Sequence, residues 1–155
     1  MTLKQIEFYE AVCQAGNVTA AAQQLYVSRS VISRAIQELE DEKRHICENY
    51  LEKIHNDKIQ LPRLLKDATH IWHQFVLQCD YRDELMQYLE ENGIGTIIHY
   101  PIPPHLSEAY QYLGLKEGDL PITEKYAKTV LSIPLYNGMT DEEQNYIIEK
   151  INCFI

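Results

Sequence analysis

Residues 93–106, "GIGTIIHYPIPPHL", decide how the second half of this chain folds. "GTIIHY" is a run of β-formers bounded by glycine before and proline after, which predicts a strand. "PIPPHL" then turns the chain out of the sheet, because proline fixes φ and offers no N–H to a ladder. His99, Tyr100 and His105 therefore stand on a proline-braced turn. Imidazole and phenol groups held this way suit hydroxyl or phosphate recognition. The same groups would serve equally to cap a strand end and hold the turn.

Working outward, "YRDELMQYLEENG" (81–93) reads as a helix stopped by Gly93, and "HIWHQFVLQC" (70–79) alternates like a strand. "HNDKIQLPRLLKDA" (55–68) is polar and proline-interrupted, a loop with room for one short strand. "EKRHICENYLEKI" (42–54) is an amphipathic helix with Ile46, Cys47, Tyr50, Leu51 and Ile54 on one side. Downstream, "SEAYQYLGL" (107–115) makes a short helix and "ITEKYAKTVLSIPLY" (122–136) a helix running into a brief strand. "TDEEQNYIIEKINCFI" (140–155) closes as an amphipathic helix, with Thr140 and Glu143 spaced as a capping box. Helices laid on one side of a roughly three-stranded sheet fit this order, a small α+β domain over residues 42–155.

The first forty residues differ in character. "TLKQIEFYEAVCQAG" places Leu3, Ile6, Tyr9, Val12 and Cys13 at helical spacing, with Gly16 as a C-terminal cap. Thr19 is placed to N-cap a second helix, "AAAQQL", whose alanines permit close packing. After "YVS", Ser28 N-caps a third helix, "RSVISRAIQELE", with Ile32, Ile36 and Leu39 as its buried stripe. Its other face carries Arg29, Ser30, Ser33, Arg34 and Gln37, groups that phosphates and base edges accept. Three short helices with a tight turn before the third describe a helix-turn-helix. A three-helix bundle with a polar outer face has the same periodicity.

Composition bounds the function. The chain has 155 residues, 45% hydrophobic and 24% charged, a globular balance. A net charge of −9 argues against broad electrostatic attachment to nucleic acid, so any DNA contact rests on a local patch. No apolar run approaches the ~20 residues that cross a bilayer, and "MTLKQIEFYE" is no secretory signal. Cys13, Cys47, Cys79 and Cys153 are scattered, as in buried or free thiols of a cytoplasmic protein. No metal site is expected: His70 and His73 would point to opposite faces of a strand, and His99 and His105 lack a carboxylate or thiol nearby. No serine sits in a GxSxG elbow.

"LKQIEFYEAVCQAGNVTAAAQQLYVSRSVISRAIQELE" (3–40) closely resembles the DNA-binding segment of LysR-type transcriptional regulators. The resemblance implies that Ser28, Arg29, Ser30, Ser33, Arg34 and Gln37 face DNA, with Arg29 where that family usually carries glutamine. It stops near residue 40, since the following "DEKRHICENYLEKI" shows no wing. Three basic and four acidic side chains in residues 1–40 make weak DNA binding the expectation.

"KRHICENYLEKI", "HIWHQFVLQC", "RDELMQYLEENGIGTIIHYPIPPHLSEAYQYLG" and "EGDLPITEKYAKTVLSIPLYNGMTDEEQNYIIEKI", in that order, resemble the C-terminal part of DegT/DnrJ/EryC1/StrS-type aminotransferases. Those are pyridoxal-phosphate enzymes that aminate nucleotide-linked keto-sugars. By that resemblance His99, Tyr100 and His105 shape a sugar-nucleotide pocket near a dimer interface. It also implies that the Schiff-base lysine and the phosphate-gripping hydroxyls belong to a domain upstream of this segment. The expectations that follow are a mixed fold with a helix-turn-helix over residues 1–40, no enzymatic activity, no catalytic residue and no bound cofactor. DNA, held weakly, and a second copy of the chain are the expected partners, with nucleotide-sugar binding doubtful. The alternative is a remnant of a dTDP-keto-sugar aminotransferase of surface-polysaccharide or lipopolysaccharide biosynthesis.

Overall fold

The computed structural model describes residues 2–155. Thr2 opens α1 (Leu3–Ala15) with a capping box: its hydroxyl accepts from the Gln5 N–H, and its own N–H donates to Gln5 Oε1 at 2.8 Å. Gly16 ends the helix at φ 72, a left-handed conformation that glycine adopts without a Cβ penalty. The cap of α2 (Val18–Gln24) is Asn17, whose Oδ1 accepts from Ala20 N at 2.8 Å. Thr19, expected as that cap, lies inside the helix, because the extended backbone after Gly16 falls at Asn17. The turn into the next helix passes through Tyr26, at φ 54 and 97% exposed, and Val27 N–H closes back on Ala22 O at 3.0 Å.

The third helix corrects the expected break near residue 40. α3 runs without interruption from Arg29 to Lys53, 25 residues or about 37 Å. Nothing in "ELEDEKR" stops a helix: it holds no glycine or proline, and Glu, Lys and Arg are good helix formers. Ser28 occupies the N-cap position but makes no cap bond; its hydroxyl pairs with that of Ser30 at 2.9 Å.

α3 serves two cores. Its first half packs on α1 and α2 in a small cluster of Phe8, Ala11, Ala21, Ala22, Ile32 and Ala35, four of them alanine. The apolar face expected on α1 is therefore shifted: Leu3 is 87% exposed, Ile6 and Tyr9 are also exposed, Phe8 and Ala11 are buried instead, and Val12 packs against the cluster as expected. Alanines on α2 let the backbones approach closely, so the side of α1 with Phe8 and Ala11 packs inward. Ile36 and Leu39 are half-buried rather than buried.

The second half of α3 supplies Ile46, Cys47, Tyr50 and Ile54 to a larger core. That core joins a three-stranded antiparallel sheet of β1 (Ile59–Gln60), β2 (Phe75–Cys79) and β3 (Val130–Ile133), in the order β1-β2-β3. Phe75, Leu77 and Cys79 point from β2 into the core, where α4 (Arg82–Glu91) adds Leu85 and Leu89. α6 (Asp141–Cys153), opened by the Thr140–Glu143 capping box, adds Ile147, Ile148 and Ile151. The ends of α3 and α6 cap one another. Asn152 Nδ2 donates to Lys53 O at 2.9 Å, and Asn56 Nδ2 donates to Ile151 O at 2.8 Å. Residues 70–74, expected as strand, are irregular, and β2 begins at Phe75. "GTIIHY" contributes one bridge, Ile97 to Ser132, on the outer side of β3. Two short 3-10 turns follow, Pro104–Leu106 and Glu108–Leu113, before α5 (Pro121–Thr129). No helix among the described residues is long and apolar enough to cross a membrane.

Candidate functional site

Strand alternation leaves the sheet with a second, polar face. Gln60 of β1 lies opposite Gln78 of β2, and Val76 lies opposite Ser132. A cavity of about 480 Å³ opens on this side, lined by Gln60, Arg63, Gln78, His99 and Tyr126 among others. Gln60, Arg63, Gln78 and Tyr126 make no side-chain hydrogen bond or ion pair among the described residues, so their donors and acceptors are available. Only His99 of these was identified from the sequence. The others come from β1, the loop after it, β2 and α5. Their one sequence signal is the glutamine interrupting the apolar run "FVLQC".

The structure separates the three residues expected to shape a pocket. His99 Nε2 accepts from the Gln74 amide at 3.0 Å, and its Nδ1–H donates to Ser132 Oγ at 3.1 Å. Both ring nitrogens are thereby engaged, and His99 positions the bridge beside β3. Tyr100 is 71% exposed. His105 is buried, and its Nε2 meets Glu124 Oε1 at 3.1 Å. The Glu124 carboxylate also accepts from Gly118 N at 2.9 Å and Leu120 N at 3.2 Å. The Gly118 N–H above all holds that carboxyl below its ordinary value, against burial, with help from Leu120 and His105. His105 is thus a strut between the proline turn and α5.

At the other end of the molecule, Ser28, Arg29, Ser30, Ser33, Arg34 and Gln37 are all exposed at the start of α3. Four of them are engaged: the Ser28 and Ser30 hydroxyls pair at 2.9 Å, Arg34 Nε pairs with Glu38 Oε1 at 3.0 Å, and Gln37 Nε2 donates to Asp41 Oδ1 at 3.0 Å. Arg29 is the cation left without a partner on that face.

Neither metal nor cofactor chemistry emerges from the side chains. No group of three or more His, Cys, Asp or Glu converges among the described residues. His70 and His73 are not on opposite faces of a strand, as expected, but line one cavity, because residues 70–73 are irregular. A Schiff-base lysine works desolvated in an enclosed pocket, and no lysine here is buried. The described lysines therefore do not fit pyridoxal phosphate. Burial pushes the Cys47 thiol up to about 12, so it is a packing group; Cys79 is likewise buried, and Cys13 and Cys153 are exposed.

Comparison with known proteins gives two overlapping matches. Residues 31–152 match the DegT/DnrJ/EryC1/StrS aminotransferase family, and residues 3–44 match the bacterial regulatory helix-turn-helix proteins of the lysR family. The overlap, 31–44, falls inside α3. The chain is 36% identical over 128 residues to the dTDP-3-amino-3,6-dideoxy-alpha-D-galactopyranose transaminase of Aneurinibacillus thermoaerophilus, covering 81% of this chain and 35% of that protein. Its fold matches DesV of S. venezuelae, solved in complex with a ketimine intermediate, with a TM-score of 0.75 and 29% identity over 86% of this chain and 34% of the other. Another solved neighbour, ntda from Bacillus subtilis with bound cofactor PMP, has a TM-score of 0.64 and 28% identity over 76% of this chain and 28% of the other. The chain spans only 28% to 35% of the length of the first curated relatives it matches. These findings correct the expectation that the chain stands outside enzymes: its relatives and structural neighbours are sugar aminotransferases. Pyridoxal phosphate is the cofactor of that family.

Proposed function

Because this chain belongs to the DegT/DnrJ/EryC1/StrS aminotransferase family, we propose that its α+β lobe binds the nucleotide-sugar partner of a sugar amination. The observation that carries this reading is the cavity of about 480 Å³ on the polar face of the sheet, with four unpartnered polar side chains converging on it. Its size lies within the ~300–1,000 Å³ typical of small-ligand sites. Arg63 offers a planar, permanently charged fork for a diphosphate. Gln60 and Gln78, side by side on adjacent strands, each present a donor pair and an acceptor to sugar hydroxyls or a base edge. Tyr126 adds a phenol from α5. His99 keeps its place in the wall through Gln74 and Ser132. Titration calorimetry with dTDP tests the reading. Arg63→Ala is expected to weaken binding about tenfold, the loss of one charge-assisted contact. Equal binding by R63A and the parent would remove the cavity from consideration.

A second reading rests on the N-terminal unit. Six residues expected at DNA are exposed together at the N-terminal turns of a helix that follows a tight α2–α3 turn, the docking geometry of a helix-turn-helix. Arg34 is held by Glu38, so few phosphates are neutralised and the logarithmic salt slope should be about −0.9 to −1.8, one or two contacts. Fluorescence anisotropy with a mixed-sequence duplex checks this. Replacing Arg29 and Arg34 by alanine should abolish binding, and a double variant that binds like the parent would refute the assignment.

A further inference from the structure

A second cavity, of about 560 Å³, lies where the helix-turn-helix unit meets the lobe. Its apolar wall is built from both sides: Tyr9 of α1 and Ile36 of α3 face Ile71 and Trp72 of the segment before β2. Trp72 is 7% exposed, and the His70 ring lies 4.0 Å from it, centroid to centroid. Three charged side chains of α3 line the same space, Glu40, Lys43 and Arg44. Glu40 and Lys43 lie three residues apart. Neither makes a hydrogen bond or ion pair among the described residues. The neighbouring cation, Arg44, is paired with Asp41 at 2.6 Å. A hydrocarbon ligand would leave both free charges unmatched. A simple anion would meet Glu40 as well as Lys43, and a polyphosphate would bring several charges to one free ammonium. One class of small molecule matches the apolar wall and the two unpaired charges together: an apolar body carrying one positive and one negative group close together.

We propose that this cavity binds an α-amino acid with an aromatic or large aliphatic side chain. The side chain would lie on Ile36, Ile71 and the indole of Trp72, where aromatic rings pack by offset or edge contacts. The ammonium would donate to Glu40 and the carboxylate would accept from Lys43, both charge-assisted. Because the walls come from both units, an occupant bridges α3 to the segment before β2 and stabilises their junction by mass action.

Trp72 is the chain's single tryptophan, so tryptophan emission reports from the wall of this cavity. Titrating the full chain with L-phenylalanine should give a saturable change in that emission. Glu40→Gln and Lys43→Gln should each weaken binding about tenfold, the loss of one charge-assisted contact. Both positions are outside the hydrophobic cores, and circular dichroism verifies that the variants keep the parent's fold. Two parent-protein titrations need no variant: 3-phenylpropionate lacks the ammonium and phenethylamine lacks the carboxylate, and each should bind at least several-fold more weakly than phenylalanine. No saturable change with phenylalanine would overturn the proposal. So would 3-phenylpropionate or phenethylamine binding as tightly, or folded E40Q and K43Q binding like the parent.

Discussion

Asp41 lies in α3 between the two cores, and proline at this position tests whether the helix keeps the N-terminal unit folded. Proline removes one helical N–H and presses on the preceding turn, at a cost of ~3 kcal/mol or more. The side chain of Asp41 contributes little. It accepts from Gln37 at 3.0 Å and Arg44 at 2.6 Å in exposed pairs, each worth roughly 0.5 kcal/mol. Asp41→Ala is therefore the control. The N-terminal core has only two large buried side chains, Phe8 and Ile32, the rest being alanine. Burial of each contributes ~1.5–3 kcal/mol, so the break removes an amount comparable to what holds this unit together. The lobe retains its own core of Tyr50, Phe75, Leu77, Leu131 and Ile151. Hydrogen exchange read by mass spectrometry should show α1 and α2 amides losing protection in D41P, while β2 and α6 amides keep it. If α1 stays as protected in D41P as in D41A, the helix is not what stabilises the unit.

Other expectations are simpler. Tyr26→Gly should raise the thermal midpoint, by up to ~1 kcal/mol of stability, because the left-handed conformation disfavours tyrosine and the side chain is exposed; a fall would mean that Tyr26 makes a stabilising contact. Glu124 has a folded pKa below its ordinary 4.5, so its contribution is complete above that value and is lost as pH falls through the folded pKa. Amide protection at Gly118 should therefore drop on acidification below 4.5 in the parent and stay level in Glu124→Gln, and parallel acid profiles would refute this. Ile97, Tyr100 and Ile102 are exposed within six residues of one another, and exposed apolar groups so close in the chain favour cover by a second copy. Light scattering should find a dimer that Ile97→Glu with Ile102→Glu disrupts; a monomeric parent would contradict it.

Legibility in the sequence followed how local the signal was. The Thr140–Glu143 capping box and the glycine stop after α1 depend on a few neighbouring residues, and both stand in the structure. The inward face of α1 is set by tertiary packing that helical spacing does not show: Phe8 and Ala11 pack in the cluster with the alanines of α2, while Ile6 and Tyr9 border the junction cavity. The alternation that predicted a strand from His70 falls on an irregular segment, where the His70 and Trp72 rings meet at a tilt. The strand at "GTIIHY" shrank to a bridge because Pro101, Pro103 and Pro104 offer no N–H to extend it. The cavity residues Gln60, Arg63, Gln78 and Tyr126 were invisible because the sheet register alone brings them together.

The central claim is that the polar face of the sheet holds a nucleotide-sugar partner, and backbone chemical shifts measured during a dTDP titration test it most directly. The prediction is saturable movement confined to Gln60, Arg63, Gln78, His99, Tyr126 and their immediate neighbours, with α1 and α2 unmoved. Shifts that appear elsewhere and spare these residues, or no shifts at millimolar dTDP, would contradict it.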